Sequence, residues 1–250
     1  MEFKMRLFVV IMLILALPGC ASKQTREHSK PESSAEINAK LGLGYLRQGN
    51  YDVAQSKLEK AVRQDPKLAI AHHYIAELYR QTGSYELAGE HFERALKLDP
   101  RDPLLQNNYG VYLCDQKRYK EAEERFLKVI DMPTYKRPDE AYENAGLCAL
   151  RIPDPVKAEK YFRHALNINP RLTNSLYQMA QLNFDIHEYL KARAFLQRFF
   201  SISGHTSQSL WLGIKIEREL GDETALNQYS KLLSDKFPDS EEARSAKRFK

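Results

Sequence analysis

Side chains that could hold a metal or perform acid–base chemistry are few in this sequence. His72 and His73 precede Glu77 on a predicted helix, where a histidine and a carboxylate four positions apart share one face. No H-E-x-x-H motif and no G-x-x-x-x-G-K phosphate loop occurs, and the serines of 201–204 lack the motif of a nucleophile elbow. We therefore predict surface histidines, and we expect no metal, cofactor, small-molecule substrate or enzymatic activity.

The N-terminus carries the features of an export signal. Lys4 and Arg6 precede eleven apolar residues from Leu7 to Leu17, which are too few to span a membrane. The next residues complete Leu17-Pro18-Gly19-Cys20, which resembles the lipobox of bacterial lipoproteins, with proline as a departure at its second position. The resemblance implies removal of residues 1–19 and lipidation of Cys20. An ordinary secretory signal with an incidental cysteine is the alternative.

Residues 20–34 are predicted to form the lipidated cysteine and a flexible tether. Ala21 to Ser34 contains no large apolar side chain, so it cannot bury enough surface to order itself. Its expected reach is roughly 20 Å by the random-coil estimate. Bacterial sorting rules, by resemblance, favour the periplasmic face of the outer membrane because Ala21 and not aspartate follows Cys20.

Charge does not point to a nucleic-acid partner. The formal net charge is +5, but both signs alternate along the predicted helices, as on solvated helix faces. A chain that carries an export signal also leaves the compartment that holds nucleic acid. We predict no nucleic acid partner.

A 34-residue repeat organises the rest of the chain. A small residue, a second small residue and a bulky residue recur in fixed phase, with two extra residues around Tyr135 to Pro138 and small shifts in the last copies. The three series are Gly42, Ala76, Gly110, Gly146, Ala180 and Gly213, then Ala54, Ala88, Ala122, Ala158, Ala192 and Ala225, then Leu58, Phe92, Phe126, Phe162, Leu196 and Tyr229. The small residues allow two helices to cross closely, and the bulky ones are expected to fill the space between successive repeats.

This pattern resembles the tetratricopeptide (TPR) consensus, in which each repeat is an antiparallel helix pair. The implied fold is all-α, a right-handed α-solenoid of about six TPR repeats in which each repeat contacts its neighbours. The repeats are placed at 35–68, 69–102, 103–136, 139–172, 173–205 and 206–238, followed by a solvent-facing cap at 239–250.

Two cysteines remain besides Cys20, and their positions raise the question of a disulfide. Cys114 and Cys148 fall on the first helices of adjacent repeats, so their sulfur atoms could meet between those helices. Two small buried residues without a bond are the alternative, because a helix spacing of about 8 to 10 Å leaves the geometry open.

The concave surface formed by the first helices is the predicted partner-binding groove. Carboxylate-clamp TPR domains carry Lys and Asn where this chain has Ala39 and Leu43, so that ligand class is excluded. A mixed apolar groove fits an extended or helical segment of a partner protein. The family's groove positions correspond here to Leu43, Leu46, Arg47, His73, Glu77, Arg80, Asn107, Val111, Glu143, Leu147, Tyr177, Gln181 and Phe184.

The combination of lipobox, short tether and six repeats resembles the pilotin lipoproteins of type IV pilus biogenesis. The most telling blocks are Asn107 to Cys114 and Ala145 to Cys148. The resemblance implies binding of the type IV pilus secretin subunit, its localisation and multimerisation in the outer membrane, and a role in twitching motility. A TPR lipoprotein for outer-membrane protein insertion and an adaptor for cell-wall hydrolases are the alternatives.

Overall fold

The computed structural model describes residues 31–152 and 154–248. In these residues the chain forms thirteen α-helices and no strand. The export signal and Cys20 lie outside the described residues, as does most of the tether. The helices are α1 Ser34–Arg47, α2 Tyr51–Gln64, α3 Ala69–Gln81, α4 Tyr85–Leu98, α5 Pro103–Asp115, α6 Tyr119–Ile130, α7 Pro138–Ala149, α8 Pro155–Ile168, α9 Thr173–Asp185, α10 Tyr189–Ser203, α11 Ser207–Leu220, α12 Glu223–Lys236 and α13 Glu241–Arg248.

Local sequence explains where these helices begin and end. The carboxylate of Asp102 accepts hydrogen bonds from the backbone N–H groups of Leu104 and Leu105, and Pro103 supplies the fixed φ angle of a first helical residue. At the other end of a repeat, α2 stops at Gln64 because Pro66 cannot continue a helix. Side-chain caps also begin four other helices, at Asn50, Asp154, Thr206 and Asp222.

The six helix pairs stack in sequence order. Each first helix packs against its own second helix, each second helix packs against the next first helix, and the first helices of adjacent repeats also touch. One continuous hydrophobic core runs from the second repeat to the sixth, and a smaller cluster fills the first repeat. The prediction of an all-α TPR solenoid is confirmed. In the part of the chain described, no helix is long and apolar enough to cross a membrane.

At glycine positions of the first helices, the bulky side chain of the same repeat packs directly against the glycine. A Cβ atom added at Gly110 would lie 2.7 Å from Cε1 of Phe126, and one added at Gly146 would lie 2.7 Å from Cε1 of Phe162. Each aromatic ring therefore occupies the space that the glycine of its own repeat leaves free. The expectation that the bulky side chains only fill gaps between repeats was incomplete.

The last helix closes the C-terminal end of the core. Ala243 of α13 is buried beside Leu210, Ile214 and Leu233 of the sixth repeat. Most charged side chains of α13 remain exposed, as at Lys247, and Glu242 is half-buried. The segment thus covers apolar surface that a seventh repeat would otherwise bury.

Candidate protein-binding groove

The groove is formed by α1, α3, α5, α7, α9 and α11, and its floor is partly apolar. Eight of the predicted groove residues are half-buried, and Arg47 is exposed. Because they present both apolar and polar atoms to solvent, these side chains can contact a partner segment. The half-buried ones are Leu43, Arg80, Val111, Glu143, Leu147, Tyr177, Gln181 and Phe184.

Four predicted groove residues are buried and form part of the fold. Leu46 is only 4% exposed and packs with Ala39 and Leu58 in the core of the first repeat, so its groove assignment was wrong. His73, Glu77 and Asn107 are also buried. They were misassigned because a first helix packs against both neighbours, which hides side chains that a simple face assignment places in the groove.

A chain of ion pairs links three successive first helices along the groove. Arg80 of α3 binds Glu77 on its own helix at 3.1 Å and reaches Asp115 of α5 at 2.8 Å. Arg151, just after α7, binds the second oxygen of the same Asp115 at 2.7 Å. Asp115 therefore receives two guanidinium groups and holds the repeats two, three and four in register.

Asp115 and Arg151 were not among the predicted site residues. Their signal in the sequence is the spacing: Asp115 lies 35 residues after Arg80 and Arg151 lies 36 after Asp115. Opposite charges about one repeat apart, at or just after the ends of first helices, are expected to be neighbours, and this periodicity could have found them. A separate contact joins the first helices of repeats five and six: the Nζ atom of Lys215 in α11 lies 4.8 Å from the centre of the Phe184 ring in α9.

Polar hydrogen bonds continue this linkage. The amide of Asn144 donates to the side-chain oxygen of Asn107 at 3.3 Å, which joins α7 to α5. Glu143 accepts from the hydroxyl of Ser175 at 2.6 Å and from the backbone N–H of the same residue, which joins α7 to α9. Glu143 thus acts within the solenoid, and its carboxylate is engaged before any partner arrives.

A disulfide joins the first helices of repeats three and four. The Cα atoms of Cys114 and Cys148 are 5.8 Å apart, within the range that a disulfide spans, and the structure bonds their sulfur atoms. A cavity of about 80 Å³ beside the bond is lined in part by Val111 and Leu147. The covalent link therefore lies in the groove floor, next to two of the residues available to a partner.

His72 and His73 are buried, so the prediction of surface histidines was wrong. Nε2 of His72 lies 3.1 Å from the carbonyl oxygen of Pro66 and must donate to it, which leaves Nδ1 to accept from Nδ1 of His91 at 2.9 Å. Burial lowers the pKa of His72 and, more strongly, that of His91, to about 4. Both rings pack as neutral hydrogen-bonded groups.

The side chain of His73 is 1% exposed, and only one of its two ring nitrogens has a hydrogen-bond partner in the described part of the chain. The amide of Asn108 lies 2.9 Å from its Nε2 atom, while its Nδ1 atom has no hydrogen-bond partner among the described residues. Burial lowers the pKa of His73 to about 4. Within the described ranges, no group of three or more His, Cys, Asp or Glu side chains could hold a metal ion.

His73 is expected to make the protein less stable in acid. Its pKa is lower in the folded chain than the ordinary value of 6.5, so its contribution is present above pH 6.5 and is lost as the pH falls toward 4. From pH 7 to pH 5 the loss is about 2 kcal/mol for this residue. Urea unfolding at several pH values should show a flatter pH dependence for His73→Gln, which keeps an acceptor for Asn108. The same pH dependence in the variant and the wild type would contradict the destabilising role given to His73 in acid.

Six stacked helix pairs with a partly apolar concave face define a TPR repeat protein. The tetratricopeptide repeat family matches residues 39–103, 78–136 and 108–172. The chain is 32% identical to the type IV pilus assembly protein PilF of Pseudomonas aeruginosa, over 94% of this chain and 95% of that protein. The chain belongs to the family of the type IV pilus proteins PilF and PilW.

Two solved structures have the same architecture. The structure of PilF from Pseudomonas aeruginosa has 33% identity and a TM-score of 0.76, and the match covers 87% of this chain and 98% of that one. The structure of PilW, described as a widely conserved type IV pilus biogenesis factor, has 29% identity and a TM-score of 0.78, and the match covers 86% and 98%. The similarity therefore covers most of this chain and nearly all of both solved structures.

Proposed function

We propose that this protein is a type IV pilus biogenesis factor that binds the pilus secretin subunit and promotes its multimerisation in the outer membrane. The similarity to PilF over nearly the whole chain carries this proposal, since it supports the role of the entire solenoid. Half-buried Val111, Leu147 and Tyr177 supply a surface that suits a protein segment. The protein acts by binding, and twitching motility depends on it.

The proposal includes a lipid anchor on the periplasmic face of the outer membrane. The lipobox-like tetrapeptide ending at Cys20 supports it. A single acyl chain binds a membrane only marginally, whereas the several chains of a lipoprotein hold it firmly because each buried methylene adds about 0.8 kcal/mol. The anchor keeps the groove within tether length of the membrane in which the partner assembles.

Cys20→Ala is expected to release the protein from the outer membrane or to leave it uncleaved. Cys20 is the only cysteine in this part of the sequence, so the variant has no thiol that could carry the proposed lipid anchor. Membrane fractionation and mass spectrometry of the N-terminus make the measurement. Normal outer-membrane fractionation of the variant would reject the lipid anchor.

The groove itself is tested by placing charge in it. Val111→Glu together with Leu147→Glu should weaken binding of the purified secretin subunit by about tenfold or more, because carboxylates on the apolar floor must lose their hydration when a partner segment docks. Binding is measured by biolayer interferometry with the full chain. Leu127→Glu is the matched control, since Leu127 is apolar and exposed but lies on α6, a second helix.

Circular dichroism and thermal unfolding must first show that the double variant keeps the helical solenoid. Equal secretin binding by a folded double variant and by the wild type would overturn the groove assignment. Equal losses in the double variant and in Leu127→Glu would show that the effect is not specific to the groove.

A further inference from the structure

The most exposed large apolar side chains of the described chain lie together at two neighbouring turns. Val156 is 75% exposed, Leu190 is 69% exposed and Ile186 is 54% exposed. All three lie where the first helix of a repeat joins its second helix, in repeats four and five. Single exposed apolar residues are common, but three at equivalent turns of adjacent repeats form a patch.

The repeat register shows that this patch is particular to these two turns. The residues two positions before the small alanine of each second helix are Asp52, Glu86, Lys120, Val156, Leu190 and Glu223. The residues six positions before that alanine are Gln48, Thr82, Gln116, Ile152, Ile186 and Glu219. Both positions are aliphatic in repeats four and five and polar or charged in the other four.

Side chains of adjacent repeats meet beside these turns on both sides of repeats four and five. Lys157, which follows Val156, places its Nζ atom 3.0 Å from a carboxylate oxygen of Glu123 in the preceding repeat. Arg193, three positions after Leu190, lies 3.3 Å from a carboxylate oxygen of Asp222 in the following repeat. The four aliphatic residues therefore share one edge of the solenoid by repeat register, two in each of two adjacent repeats. We call these four residues the turn patch.

The fold itself does not account for the turn patch. Val156 and Leu190 lie in the first turns of α8 and α10, and the equivalent Asp52 and Glu86 show that polar residues serve equally well there. Ile152 is half-buried, but the other three expose more than half of their surface. An aliphatic side chain left in water gains nothing for folding, so these residues point to a binding partner.

Charged turns of opposite sign flank the turn patch. On one side, the turn of repeat three carries exposed Lys117, Arg118 and Lys120, with Glu121 bound to Arg118 at 2.6 Å. On the other side, the turn of repeat six carries Glu219 and Glu223 beside Arg218, and Asp222, which is paired with Arg193 at 3.3 Å. The turn edge thus runs from a net basic end, across a centre where the aliphatic side chains lie among balanced charges such as the Lys191–Glu188 pair, to a net acidic end.

We propose that this turn edge binds an amphipathic helix of a partner protein, separately from the concave groove. The helix would lay an apolar stripe on the turn patch, place acidic residues at repeat three and place basic residues at repeat six. A stripe two side chains wide matches the apolar face of a helix better than the single row of a strand. Three inter-repeat steps of about 10 Å correspond to a helix of about 20 residues.

A second copy of this chain is the weaker occupant. A stable dimer needs about 800 Å² from each partner, and three or four aliphatic side chains supply much less. Two antiparallel copies related by a twofold axis would also pair the basic end with the acidic end, so the small apolar area, and not the charge pattern, disfavours this occupant.

The test uses the full chain in lipid nanodiscs and a fluorescent 20-residue helical peptide with an acidic first turn, a leucine stripe and a basic last turn. Nanodiscs without the protein supply the blank that is subtracted, because an amphipathic helix also binds lipid. Fluorescence polarisation should detect binding that weakens with salt, as exposed charges require. Val156→Asp with Leu190→Asp should weaken binding by about tenfold or more. Ile168→Asp, at a residue 50% exposed outside the patch, is the matched control and should have no effect.

Two altered peptides check the chemistry. A peptide with serine in place of the leucine stripe should not bind, and a peptide with acidic residues at both ends should bind more weakly than the original. Thermal unfolding confirms that the variants keep the wild-type fold, and Ile186→Asp provides a second, independent variant. Failure of the original peptide to bind, or equal binding to the double variant, would overturn the proposal. A wild-type dimer that the double variant abolishes would assign the patch to self-association instead.

Discussion

Replacing Cys114 and Cys148 together by serine is expected to lower the free energy of unfolding by about 4 kcal/mol in the chain-entropy account of disulfides. The two cysteines are 34 residues apart, so the bond closes a loop of one full repeat. Without it the unfolded chain gains the freedom of that loop, and the folded chain loses the covalent link between α5 and α7. The effect should be local to repeats three and four at first, because each repeat of a solenoid depends on its neighbours.

Urea unfolding of the oxidised wild type, the reduced wild type and the double serine variant makes this measurement. Reduced wild type and variant should agree, which separates loss of the bond from any effect of the serine side chains. Mass spectrometry of protein purified from cells without reductant checks the bond itself. Two free thiols in that protein, or an unfolding midpoint that is the same with and without reductant, would contradict the role given to this disulfide.

Replacing Arg80 by methionine is expected to destabilise the protein by about 3 kcal/mol or more, because it leaves a buried carboxylate without its cation. Glu77 is 9% exposed, and burial raises its pKa, while the guanidinium of Arg80 opposes that shift. Asp115 keeps Arg151 as a partner, so the main loss falls on Glu77. Chemical unfolding at pH 7 measures the change.

The control is the double variant Arg80→Met with Glu77→Gln, which removes the charge that would be left unpaired. It should recover most of the lost stability. The pH dependence gives a second check: without Arg80 the pKa of Glu77 rises further, so the penalty is full above that pKa and fades as the pH falls through it. A penalty that is independent of pH, or no recovery in the double variant, would show that Arg80 contributes through packing and not through Glu77.

The repeat pattern made the fold predictable because its signal is redundant. Gly42, Ala54 and Leu58 have counterparts in five further repeats, and each must fit the same helix crossing. Helix ends followed from Pro66 and its equivalents for the same reason. Periodicity also places Cys114 and Cys148 on neighbouring first helices, where the structure joins them.

The groove was predicted less well because burial depends on both neighbouring repeats. Leu46 and His73 occupy groove positions by register, yet adjacent helices cover them. The consensus register gives the direction of a side chain from its own helix, but not how much of that side chain the neighbouring helix buries. Arg80, Asp115 and Arg151 show the opposite case, since their contacts follow from spacing but lie outside the consensus.

Deletion of the gene, followed by electrophoresis of heat-stable secretin multimers from outer membranes, tests the central claim most directly. The proposal predicts that secretin subunits are made but fail to form multimers, that twitching motility is lost, and that the wild-type gene on a plasmid restores both. Monomeric secretin must be detected in the same samples, so that loss of expression is not mistaken for loss of assembly. Undiminished secretin multimers in the outer membrane of the deletion strain would contradict the proposed function.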